Sequence, residues 1–169
     1  MKVPFYQDSV GGMCGVFSIL NGYRLVKNAK FDEVEILYRE IIDYLSRKRM
    51  LKDILLDGML HKDMTMLINE VVGDRFVEKI SNGKWSEYSL SAWWKYSKSY
   101  LEQNNTAIIL AIGGKYWHYS TVERMSDKVM FLQDSDGLRT IRRTSCRFPN
   151  YKYEDRIIVY PSQCWLIKG

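Results

Sequence analysis

Near residue 105 the sequence changes its period, and that switch constrains the fold more than any other feature. Before it, apolar side chains recur three and four positions apart. Residues 14–26 carry Val16, Phe17, Ile19, Leu20, Tyr23, Leu25 and Val26, the pattern of a largely buried helix. Asp32 followed by Glu35 resembles a capping box, and Val34, Ile36, Leu37, Ile41, Ile42 and Leu45 continue at helical spacing. Asp63 is placed to cap a shorter helix through Leu67, Ile68 and Val71, with Gly73 as its stop. Ser89 or Ser91 can open a helix bearing Trp93, Trp94, Tyr96, Tyr100 and Leu101 and ending at Asn104-Asn105.

After the switch the pattern is that of strands. Residues 106–112 form a short isoleucine-rich run that stops at Gly113-Gly114. Residues 116–124 alternate around His118, Ser120 and Val122, a turn at 126–128 leads into 129–133, and the Asp134-Ser135-Asp136-Gly137 turn leads into 138–143. Residues 156–160 and 165–167 can supply two last strands. Short strands joined by tight turns predict an antiparallel sheet, so the fold class is α+β, helices first and sheet second. With 169 residues, 46% of them hydrophobic, the chain suits one domain over residues 1–169.

Composition removes several classes of function. The run at 107–112 is far too short to cross a bilayer, and the N-terminus lacks the apolar stretch of a signal peptide. Three widely spaced cysteines, Cys14, Cys146 and Cys164, argue against a disulfide framework and for a reducing compartment. The expected setting is cytoplasmic, with a delivered effector also fitting. The net charge of +5 gathers loosely at Arg47, Lys48, Arg49 and Lys52, and again at Arg139, Arg142, Arg143 and Arg147. The first group reads as a helix end. The second reads as a solvated face rather than a nucleic-acid site, because no interleaved stacking motif accompanies it. Cys146 and Cys164 lack metal-ligand spacing, and neither a metal nor a cofactor is expected. The Trp93-Trp94 pair reads as core plus groove wall.

The stretch that carries chemistry is Gln7-Asp8-Ser9-Val10-Gly11-Gly12-Met13-Cys14-Gly15. It sets a cysteine at the start of a hydrophobic helix, where unpaired N–H groups and the helix dipole favour a thiolate. The glycines allow close backbone approach and angles that other residues avoid. Gln7 can aim its amide at a developing oxyanion, beside the Cys14 N–H. A thiol nucleophile needs a base held by a carboxylate or amide. Of the two histidines, His61 lies in a charged, loop-like stretch and reads as surface or cap, whereas His118 lies on a strand after a glycine turn. The next strand ends in Asp134, within reach of His118 if the two strands are adjacent. Asp136 competes for that role, and both aspartates also suit a simple turn.

Val3-Pro4-Phe5-Tyr6-Gln7, then Cys14-Gly15, then His118-Tyr119, then a strand closing at Asp134, resembles the papain-like cysteine peptidase superfamily. The closest branch is that of the bacteriocin-processing, double-glycine-leader peptidases and their stand-alone relatives. The resemblance implies a papain-like fold, with the nucleophile helix packed on a C-terminal antiparallel sheet. It also implies Gln7 as oxyanion donor, Cys14 as nucleophile, His118 as base and acid, and Asp134 as orienter. The chain departs from the branch pattern in Met13, in a Gln7 one position farther from the cysteine, and in Ser135 where proline is usual. The expected activity is cleavage of a peptide or isopeptide bond in a protein or peptide substrate. Deamidation, transamidation or a catalytically inactive binding module are the alternatives on the same scaffold. The sequence leaves the oligomeric state open.

Overall fold

The computed structural model describes residues 4–7, 11–76, 78–81, 89–149 and 156–169. The helices are α1 (Cys14–Lys27), α2 (Phe31–Arg47), α3 (Leu51–Asp57), α4 (His61–Met66) and α5 (Leu90–Leu101). The strands are β1 (Glu78–Ser81), β2 (Thr106–Gly114), β3 (His118–Met125), β4 (Val129–Gln133), β5 (Thr140–Arg142), β6 (Cys146–Arg147) and β7 (Ile157–Lys168). The chain is α+β. Its strands form one sheet in the order β1-β7-β2-β3-β4-β5, with β6 beside one end of β7.

The isoleucine-rich run explains the layering. All but the last residue of β2 are buried, because this strand lies inside the sheet between β7 and β3, with helices on both faces. Its side chains alternate between two apolar clusters. Ala107, Ile109 and Ala111 join α1, α2, α3 and α4, whereas Ile108, Leu110 and Ile112 join Trp93, Trp94 and Tyr100 of α5. A strand covered on both sides reads as a continuous apolar run rather than an alternating one.

Several local expectations are corrected. Helix α2 begins at Phe31, one residue before Asp32, so its third position is Glu33, whose carboxylate accepts from the Lys30 N–H at 2.7 Å. Asp63 is likewise the third residue of α4 and accepts from the Leu60 N–H at 3.0 Å. Of the two serines expected to open α5, Ser89 is the cap, accepting from the Ala92 N–H at 3.2 Å. The two last strands are one: Leu110 pairs with Cys164 and Ala111 with Tyr160, leaving residues 161–163 as a bulge around Pro161, which has no N–H to give a ladder. The sheet is mixed rather than purely antiparallel, since β6 runs parallel to β7. Helix α3 and strand β1 are elements that the periodicity did not announce.

Helix α1 lies close on the sheet for two reasons. Gly22 has no Cβ, and one placed there would come within 2.7 Å of Ile167 Cδ1 on β7. Thr121 of β3 donates its buried hydroxyl to the Ser18 carbonyl at 2.7 Å. Gly22→Ala should therefore lower the unfolding free energy by about 1–3 kcal/mol through overpacking, despite the better helix propensity of alanine. Urea unfolding of the two proteins checks this. An alanine variant as stable as the wild type would show that the contact is slack.

Candidate active site

Cys14 is the first residue of α1 and is half-buried. The first turn contains no acidic residue and Met13 supplies no side-chain cap, so the unpaired N–H groups and their partial positive charge are left to the sulfur end. The two upstream glycines serve different ends. Gly12 has φ +77°, and a Cβ there would sit 1.9 Å from the Ile54 carbonyl oxygen of α3. Its close approach is thus to this protein's own backbone, whereas Gly11 meets nothing within 4 Å. Residues 3 and 8–10 of the motif lie outside the described residues.

Gln7 reaches the site through contacts that the sequence did not announce. Asn21 of α1 accepts from the Phe5 N–H at 2.8 Å and donates to the Phe5 carbonyl at 3.3 Å. Two residues later the Gln7 N–H donates to the Ser135 carbonyl at 3.3 Å. The segment before α1 is thereby strung between that helix and the turn after β4, and Gln7 is 8% exposed.

His118 opens β3, paired with Ile112 of β2. Thr121 faces Gln133 across the β3–β4 ladder, so continuing that register sets Asp134 diagonal to His118. The His118 Nε2–H donates to Asp134 Oδ2 at 2.8 Å. Asp134 is fully buried, and its other oxygen accepts the N–H groups of Asp136 at 2.9 Å and Leu138 at 3.0 Å. The turn-forming and histidine-holding readings of Asp134 are both satisfied, one oxygen serving each. Asp136 is not an alternative partner for that ring nitrogen. It stands on the other side, with Oδ2 3.5 Å from His118 Nδ1 and Oδ1 accepting from Gln7 Nε2 at 2.5 Å.

The electrostatics follow from these contacts. Burial works against a charged His118, but hydrogen bonds to Asp134 and Cys14, and their charges, win and raise its pKa to about 10. Burial likewise opposes charge on Asp134, yet the His118 bond and charge and the Leu138 N–H hold its carboxyl below the usual range. Beside the pair opens a cleft of about 460 Å³, walled by Tyr116, Trp117 and Leu138.

The remaining candidates fall elsewhere. His61, read as surface or cap, is half-buried and stacks on Trp165 at 4.8 Å, and burial lowers its pKa. Cys146 and Cys164 are buried in the cluster under α5, and burial pushes both thiols up to about 12. Trp93 and Trp94 are both core, each 1% exposed, with the Trp94 indole N–H donating to the Ser126 carbonyl at 2.8 Å. The arginine stripe is divided: Arg139 bonds Tyr6, Arg143 bonds Ser91 at 2.8 Å, and Arg147 bonds the Cys146 carbonyl at 2.6 Å. Among the described residues no three His, Cys, Asp or Glu side chains converge to hold a metal ion. No family model, curated protein or solved structure matches the chain.

The His118–Asp134 pair carries a pH signature. A raised histidine pKa contributes stability that is full below 6.5 and is lost as pH rises through about 10. A depressed aspartate pKa contributes stability that is present above 3.8 and is lost as pH falls through its lowered value. The stability difference between wild type and Asp134→Asn should thus be largest between pH 3.8 and 6.5 and shrink on both sides. Denaturant titrations across pH measure it, and a difference that stays flat up to pH 10 would contradict the pairing.

Proposed function

We propose that this chain is a thiol-dependent hydrolase, a papain-like cysteine peptidase that cleaves a peptide or isopeptide bond. The observation that carries the reading is one convergence. Cys14 at a helix start interacts with a half-buried His118, and His118 is held at Nε2 by Asp134 at 2.8 Å. A base oriented on one nitrogen and facing the thiol with the other is the arrangement that nucleophilic acyl transfer requires.

In this reading the Cys14 proton resides on His118 Nδ1 and the sulfur attacks the substrate carbonyl carbon. The carbonyl oxygen becomes an oxyanion, met by the Cys14 N–H and a Gln7 amide N–H. As the tetrahedral intermediate collapses, His118 gives its proton to the departing amine and a thioester remains on Cys14. Water then attacks the thioester, passing one proton to His118, and the acid product leaves as the thiolate and imidazolium return. Asp134 stays ionised throughout and holds the ring. Deamidation or transamidation would use the same groups with ammonia as leaving group or an amine in place of water. The partner is a protein or peptide substrate. Among the described residues no helix is long and apolar enough to cross a membrane.

The test is thiol chemistry on the full chain. Near pH 6, iodoacetamide should label Cys14 at least 100-fold faster than Cys146 or Cys164, as mapped by peptide mass spectrometry, a range set by thiolate availability and access. His118→Ala should slow that labelling at least tenfold, because the imidazolium that sustains the thiolate is gone. Cys14→Ala should keep the melting temperature within a few degrees while abolishing the fast label. A Cys14 whose labelling ignores the loss of His118 would sink the reading.

A further inference from the structure

Asp136 is an acidic group at this site that the proposed reaction does not use. It is exposed, yet it is held in place. Its own N–H is bonded to Asp134 Oδ1 at 2.9 Å, and its carboxylate takes the Gln7 amide at 2.5 Å while standing 3.5 Å from His118 Nδ1. These distances put a second negative charge beside the groups that meet a substrate carbonyl. Asp134 is already committed to His118 and to two backbone N–H groups, so the negative charge that an incoming molecule meets is that of Asp136.

Its surroundings extend the argument. The carboxylate fixes the sense of the Gln7 amide, since an amide oxygen in that position would face a carboxylate oxygen at 2.5 Å. The Gln7 Oε1 atom is left buried and without a hydrogen-bond partner among the described residues. Asp136 is therefore the exposed anionic acceptor on the cleft lining, and it suits N–H-bearing or cationic groups. Trp117 forms the cleft's open wall and is 83% exposed, an aromatic face available to a cation. Lys115 is the opposing charge in the same cleft. Its Nζ lies 5.9 Å over the Tyr116 ring, and it has no ion-pair partner among the described residues.

Resting on Cys14 being the nucleophile, we propose that Asp136 sets the charge selectivity of this site. It admits neutral and cationic groups beside the reacting carbonyl and disfavours anionic ones. The substrate class is then a peptide or isopeptide whose residues at the scissile bond are neutral or basic. Lysine or arginine suits the Trp117 wall, and aspartate or glutamate is rejected.

The experiment compares alkylation of Cys14 in the full chain by iodoacetamide and by iodoacetate, reagents alike in size and different in charge. Asp136→Asn should raise the iodoacetate-to-iodoacetamide rate ratio about fivefold to tenfold, the scale of one charge a few ångströms away in a mostly aqueous setting. In wild type the same ratio should rise as salt approaches about 1 M, where the screening length falls to about 3 Å. Lys115→Gln should move the ratio the opposite way. An unchanged ratio in Asp136→Asn, or equal shifts for both reagents, would overturn the selectivity while leaving the nucleophile standing. If Cys14 reacts no faster than Cys146 or Cys164 with either reagent, the hydrolase reading fails and the selectivity falls with it.

Discussion

Thr121 reaches from β3 to the Ser18 carbonyl of α1, and this buried bond sets how far along the sheet the helix stands. Ser18 is one turn below Cys14, and Thr121 is three residues beyond His118. A helix that slid by one residue would move its sulfur about 1.5 Å along the axis and about 100° around it, enough to part thiol and imidazole. Gly22 allows the close approach that the bond needs, with Ile109 and Ile167 filling the space where a side chain would stand. One residue before Gly22, on the same helix, Asn21 holds Phe5 by both its N–H and its carbonyl, which delivers Gln7. Cys14, His118 and Gln7 are all referred to one helix.

The turn after β4 shows how two aspartates two positions apart are given opposite settings. Asp134 has no exposure, but its oxygens are met by an imidazole and two N–H groups, so burial strengthens those bonds instead of neutralising the acid. Asp136 is half in water and bonds to a neutral amide. One carboxylate belongs to the fold and orients the ring. The other is exposed, beside His118 Nδ1 and the Gln7 amide.

Much of this was legible in the residues. Helical spacing over 14–26 and the isoleucine run at 106–112 placed α1 and β2 to within two residues, because both are long and strongly apolar. Helix α3 and strand β1 were not legible. Leu51–Asp57 is seven residues with Leu55 and Leu56 exposed, and Glu78–Ser81 is four residues whose strand character comes from pairing with β7. The bulge that joins two apparent strands into β7 was hidden for a similar reason. Pro161 reads as a strand breaker unless the neighbouring strand is already in place to hold both sides.

By itself the sequence determined the fold class, the cysteine at a helix start and the chemical candidates Gln7, Cys14, His118 and Asp134, because period and residue type are local properties. Only the tertiary structure decided the roles of the two aspartates. Which oxygen meets which ring nitrogen depends on strand register and on a turn that closes around one carboxylate, and neither is a property of any short segment. The same holds for Gly12, whose constraint is a carbonyl of α3 some forty residues away. Spacing along the chain can nominate a group for a site, but its protonation and its partner are set by what is packed against it.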